Sequence, residues 1–242
     1  RQLKLLKLYA AMVLEKNREL NLTRADTGDI WKRHIADSLA CVPVLRELLS
    51  QKASPLVADS GAGAGYLGIC IKIAWPETRV HLWESNRRKF QFIIWAVSRL
   101  GLRGINPVWG RVGEKKISEP EKADAVVERA MGKLKNVLEP CLGLAKEDGG
   151  IFMPYQVSPV TDMPHSAKST EFFGGCSRET GLTATLSEEK NRPSCGDTVS
   201  LDAVLKRMET QLERTVKYVL PGEQRERMIL VFRRYKNRAL RK

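Results

Sequence analysis

Apolar positions change period near residue 56, and that change predicts the architecture. Over residues 1–20, Leu3, Leu6, Ala10, Val13 and Leu14 recur close to i, i+3, i+4, i+7 spacing, which predicts a helix. Asn21-Leu22-Thr23 breaks it. A second stripe through Trp31, Ile35, Leu39, Val42 and Leu45 predicts another helix, bent or interrupted near Pro43. From Leu56 short apolar runs alternate with helical stretches. Leu56–Asp59, Arg79–Glu84, Ile105–Trp109, Asp124–Val127 and Ile151–Met153 read as buried strands. Tyr66–Ala74, Arg87–Leu100 and Val137–Lys146 read as the helices among them, with Gly101 a natural C-cap. Leu201–Leu212 reads as a further helix. Arg214–Val219 and Met228–Tyr235 read as a closing antiparallel pair around Pro221-Gly222-Glu223.

Repeated strand–helix units imply an α/β, Rossmann-like, mostly parallel sheet with helices on both faces. The predicted organisation is an N-terminal helical extension over 1–55 and a core over 56–242. Residues 156–200 are rich in Ser, Thr, Gly, Pro and charge, and read as a long insertion without a packed core of its own.

Composition narrows the class. Hydrophobic residues make up 43% of 242, enough for a sizeable core. No apolar run approaches the ~20 residues that span a bilayer. The opening, Arg1 to Leu8, reads as a lysine-studded amphipathic helix instead of a signal peptide, and the absence of an initial Met suggests a trimmed start. Five scattered cysteines without CxxC spacing read as reduced thiols, which predicts a cytoplasmic protein with neither a disulfide framework nor a metal site. A net charge of +13 favours a polyanionic partner, most simply nucleic acid.

The candidate chemistry lies at Asp59-x-Gly61-x-Gly63-x-Gly65-x-x-Gly68, with Trp83-Glu84-Ser85 ending the next strand. Glycines let the backbone turn sharply and let a ligand approach closely. Asp59 can anchor the loop or a ligand amine, Glu84 can accept both hydroxyls of a ribose, and Trp83 can flank an adenine. Gly63-x-Gly65-x-x-Gly68 alone also fits a dinucleotide fingerprint, so NAD competes. The early acid, with glycines starting two residues later, matches instead the S-adenosylmethionine pocket of class I methyltransferases. A Gly-rich turn without a ligand is the plain alternative.

Further motifs are more specific. Asn21-Leu22-Thr23, Arg33-His34-Ile35-x-Asp37-Ser38, the Gly-rich loop through Ile69, Glu84-Ser85 with Arg87-Arg88-Lys89, Gly110-Arg111-Val112-Gly113-Glu114 and Glu128-Arg129-Ala130 follow in order, with Gly222-Glu223 and Arg227 near the end. This series resembles the bacterial 16S ribosomal RNA guanine-N7 methyltransferase family known as RsmG or GidB, well over 10–153 and loosely over 215–235. The resemblance implies S-adenosylmethionine as cofactor and 16S rRNA or the small ribosomal subunit as partner, with no membrane and a monomer at work. It implies that Gly61 and Tyr66 line the cofactor, Tyr66 replacing a smaller or aliphatic residue. Glu84 then takes the ribose, and Val112 and Gly113 the adenine side. Relatives commonly carry an acid at Gly113, which shifts that contact to backbone or Glu114. Arg129 stands at the mouth of the site, with His34 near even between a facing role and plain packing.

Guanine N7 carries a lone pair and no proton, so methylation there needs no general base. The sequence offers no nucleophile–His–Asp set. Arg129 can orient the base or a phosphate, or pair with Glu128 or Glu84. Arg33 and Asp37 read as an i, i+4 pair. Arg33, Arg87, Arg88, Lys89, Arg111, Lys115 and Lys116 are the RNA-contact candidates, with Arg233, Arg234, Lys236, Arg238, Arg241 and Lys242 in the tail. Relatives usually carry Lys-Gly after the fifth strand, where this chain reads Met153-Pro154-Tyr155-Gln156. That departure and the insertion leave open another RNA base as substrate, or an RNA-binding protein that has lost turnover.

Overall fold

A computed structural model describes residues 1–23, 29–114, 121–157, 170–172 (backbone alone) and 200–235. Helix α1 (Gln2–Leu20) buries Leu6, Tyr9, Ala10, Met12 and Val13 on one stripe. It ends on Asn21, whose left-handed backbone (φ 49°) caps it. The predicted second helix is three pieces: a π-helical turn, Ile30–Ala36, then α2 (Asp37–Leu39) and α3 (Cys41–Leu48). Pro43 sits in the first turn of α3, where its missing N–H costs nothing, so the interruption falls before it.

The core strands follow: β1 (Leu56–Ser60), β2 (Arg79–Glu84), β3 (Ile105–Trp109), β4 (Ala125–Glu128) and β5 (Ile151–Val157). Helices α4 (Tyr66–Ala74), α5 (Arg87–Arg99) and α6 (Leu134–Leu144) connect them. After β6 (Thr170–Phe172) come α7 (Leu201–Arg207), β7 (Thr210–Val219) and β8 (Glu226–Arg234). The predicted helix to Leu212 is therefore too long, since Thr210–Leu212 pair with β8 instead. The fifth strand is longer than predicted, and takes in Gln156 and Val157 from the predicted insertion. Residues 158–169 and 173–199 of that insertion lie outside the described residues.

The eight strands run in the order β3-β2-β1-β4-β5-β8-β7-β6. Strands β1 to β5 are mutually parallel, and β8 lies antiparallel between β5 and β7. Helices α1, α4 and α5 share a core with Val80 and Leu82 on one face. On the other, α6 and α7 pack on Ala58, Trp83, Val126 and Phe152. The 1–55 segment thus completes one layer of the sheet. The strand order reverses between β1 and β4, and the crevice at their carboxyl ends is where such sheets bind ligands. Among the described residues, no helix is long and apolar enough to cross a membrane.

Candidate active site

The Gly-rich loop is pinned from two strands. Asp59, 1% exposed at the end of β1, accepts the Gly68 N–H at Oδ2 (2.8 Å). Glu84, ending β2, accepts the Gly63 N–H at Oε2 (2.7 Å) and the Asn86 N–H at Oε1 (2.6 Å). Gly61, Gly63 and Gly65 all take positive φ (67°, 62° and 85°), and Gly65 caps α4. Gly68 serves packing: a Cβ there would lie 2.1 Å from Leu82 Cδ2. At Gly63 the nearest atom to an added Cβ is 4.0 Å away, so the loop is open on that side. Burial pushes the Asp59 carboxyl up to about 7, against the lowering effects of the Gly68 N–H and Arg129.

Val112 is buried against Trp83, and Gly113 (φ 90°) is exposed beside Pro140. Trp83 itself is a core residue, 3% exposed, on the face that carries α6. Side chains alternate along a strand, so Leu82 and Glu84 face one way and Trp83 the other. Trp83 therefore lies with Val112 on the face that carries α6, and not on the face of Glu84.

The π-helical turn brings a second group to the crevice. The His34 ring stacks on Tyr66 (4.2 Å between centroids, 10° between planes), with the Thr23 hydroxyl 2.8 Å from Nε2. Tyr9 meets Tyr66 edge-on at 6.0 Å, and the Arg129 guanidinium lies 5.7 Å over the Tyr66 ring. Burial, then the Arg129 charge, lowers His34 to about 4, so it is neutral at pH 7.

The ion pairs differ from the sequence reading. Arg129 pairs with Asp37 (2.7 Å) instead of Glu128 or Glu84. Asp37 also accepts the Tyr218 hydroxyl (2.6 Å) and lies 3.7 Å from Arg227. Arg33 meets Asp29 (3.3 Å) and Glu223 (3.4 Å) instead of Asp37. Arg33 keeps an i, i+4 partner, but on its N-terminal side, while the Asp37 carboxylate is taken by Arg129. Asp37, Tyr218 and Arg227 form a buried network that periodicity did not reveal. The run Arg33 to Ser38 and the later Arg227 were its traces in the sequence.

The basic candidates separate. Arg87, Arg88 and Arg111 are exposed and Lys89 half-buried, near the start of α5 and after β3. Arg111 lies 3.7 Å from Glu114. Arg233 is bound to Glu213, and Arg234 donates to the Leu142 and Ala145 carbonyls, so both are engaged within the protein. Lys115, Lys116, Lys236, Arg238, Arg241 and Lys242 lie outside the described residues. Met131, which sequence reasoning missed, covers Gly61: a Cβ there would lie 2.5 Å from Met131 Cγ.

Residues 2–177 match the family described as GidB, rRNA small subunit methyltransferase G. The chain belongs to this family. It is 33% identical to a ribosomal RNA small subunit methyltransferase G of Lachnoclostridium phytofermentans over 178 residues, 72% of each chain. It is 34% identical to the protein of that name from Acetivibrio thermocellus over 170 residues, 69% of this chain and 68% of the relative. The solved structure of M. jannaschii TYW2 in complex with AdoMet shares the fold, with a TM-score of 0.50 and 13% identity over 83% of this chain and 76% of that one.

The crevice offers groups that fit S-adenosylmethionine. Gly63 leaves open space beside a buried Glu84 carboxylate at the switch point. Each Glu84 oxygen accepts one backbone N–H and keeps capacity for a hydroxyl.

Proposed function

We propose that this protein transfers a methyl group from S-adenosylmethionine to N7 of a guanine in 16S ribosomal RNA. The observation that carries the reading is the Gly61–Gly68 loop tied to Glu84 at the crevice of a GidB-family chain. When bound, the cofactor supplies a methyl group on an electrophilic sulfonium. The chain's own residues supply position. Glu84 holds the ribose hydroxyls, while Val112 and the Gly113 backbone bound the adenine side. Asp59 fixes the loop through Gly68.

No side chain has to remove a proton, because N7 carries none. Neutral His34 packs the wall of the site through Tyr66, and Arg129, held by Asp37, orients the base or its phosphate. Arg33, Arg88, Lys89 and Arg111 serve the phosphate backbone, which sets affinity and not base choice. The guanine must be unstacked to reach the crevice.

The test is transfer of radiolabelled methyl to bacterial 16S RNA and to 30S particles, comparing wild type with Gly61→Asp. That variant places a side chain at φ 67° against Met131. Label recovered as 7-methylguanine, and lost in the variant, is the expected result. Cofactor binding without labelled RNA on either substrate would defeat the substrate assignment and leave the fold intact.

A further inference from the structure

Two buried carboxyls end the neighbouring strands β1 and β4. Asp59 is 1% and Glu128 0% exposed. Glu128 is in register with Ser60, so it points to the sheet face opposite Asp59. Glu128 Oε1 accepts the Met131 N–H, and Oε2 has no partner. Among the described residues neither carboxyl forms an ion pair, and the nearby Arg129 is engaged with Asp37. A buried polar atom left unpaired is costly and calls for an explanation. Burial pushes Glu128 up to about 7, and the charge of Asp59 adds to the effect. A cation brought to the end of β4 relieves the cost at Glu128.

Met131, whose backbone N–H meets Glu128, reaches back to the Gly-rich loop. Its sulfur accepts the Ser60 hydroxyl (3.2 Å), its side chain lies over Gly61, and it is 37% exposed. It stands between two positive-φ residues, Ala130 (66°) and Gly132 (151°). Methionine is unbranched and adaptable, so it can leave this position without unfolding a core.

We infer that Glu128 is an anionic contact for the ammonium of the methyl donor's amino-acid tail, uncovered when the Met131 side chain moves off Gly61. This rests on the cofactor reading above. It adds a binding residue on the α6 side of the sheet, opposite the face of Asp59 and Glu84.

The test is calorimetric binding of two ligands to the full chain, wild type and Glu128→Gln. S-adenosylhomocysteine carries the ammonium, whereas 5′-methylthioadenosine lacks the amino-acid tail. The substitution keeps size and one acceptor oxygen while removing charge. It should weaken S-adenosylhomocysteine about tenfold or more, the range of a charge-assisted hydrogen bond. Methylthioadenosine should bind both proteins alike, which also reports that the variant is folded. In wild type the preference for S-adenosylhomocysteine should grow as pH rises from about 6 to 8, and in Glu128→Gln it should stay flat. Equal S-adenosylhomocysteine affinity in the two proteins overturns the inference, and a concurrent change in which RNA base is labelled would assign Glu128 to the base edge instead. Equal weakening of both ligands also overturns it, because that marks a general structural role. Wild type that binds neither ligand overturns the cofactor reading itself.

Discussion

Arg129, just beyond the end of β4, meets Asp37 of α2 at 2.7 Å, with side-chain exposures of 17% and 3%. The two lie 92 residues apart, and their contact fixes the π-helical turn over the crevice. Asp37 also holds Tyr218 and faces Arg227, so one carboxylate ties three segments together.

Removing that carboxylate leaves buried guanidinium groups unbalanced. Breaking one side of a buried pair costs about 3–5 kcal/mol. Asp37→Ala is expected to lose about 3 kcal/mol of unfolding free energy in urea, at the lower end of that range because Arg129 is partly exposed. A loss under about 1 kcal/mol would reduce the contact to an ordinary surface pair.

Gly68 and Gly143 offer a matched comparison. An alanine Cβ at Gly68 would lie 2.1 Å from Leu82 Cδ2, 3.0 Å from Val80 Cγ1 and 3.2 Å from Asp59 Cβ, whereas at Gly143 it meets nothing within 4 Å. Gly68→Ala should cost about 1–3 kcal/mol by overpacking and weaken cofactor binding by lifting α4 away from β2. Gly143→Ala, inside α6, should gain up to about 1 kcal/mol. Similar melting temperatures for the two variants would contradict this account.

His34 should stay neutral down to about pH 4, since burial and then Arg129 disfavour its charged form. The unfolded chain takes up this proton near pH 6.5, the native state only near 4. The stability tied to His34 is therefore fully present above about 6.5 and is lost progressively as pH falls towards 4. An NMR titration of the imidazole checks the midpoint, and a midpoint near 6.5 would remove the burial argument.

RNA affinity should depend on salt through the exposed arginines. Arg88→Ala and Arg111→Ala should each weaken RNA binding, and each should reduce the slope of log K against log salt by about 0.7 for a single-stranded contact. Arg234→Ala, which breaks bonds to the Leu142 and Ala145 carbonyls, should lower stability and leave that slope unchanged. Filter binding over a salt series separates the two effects.

Much of the fold was legible because it is local. The runs at Leu56, Arg79 and Ile151 are short, apolar and bounded by turn residues, and each became a strand. Gly61, Gly63 and Gly65 announced a positive-φ loop because few other residues accept that backbone. Glu84 was readable as a strand-end carboxylate because its place follows from the strand's last residue.

Other features were not local. The helix predicted to Leu212 ends at Arg207 because pairing of Thr210 to Leu212 with β8 outweighs helical spacing. Only the alternation of β2 shows that Trp83 lies in the core with Val112, on the face away from Glu84. Arg33 and Asp37 carry opposite charge at helical spacing, yet Arg33 pairs with Asp29 on its other side and Asp37 with the distant Arg129.

The sequence by itself determined the alternating β/α order, the glycine loop, the strand-end acids and the basic surplus, because each follows from backbone preference, periodicity or count. Tertiary structure alone decided that Arg129 belongs to Asp37 and that His34 stacks on Tyr66. Those contacts join residues far apart in the chain, and their energies depend on burial that no local pattern encodes.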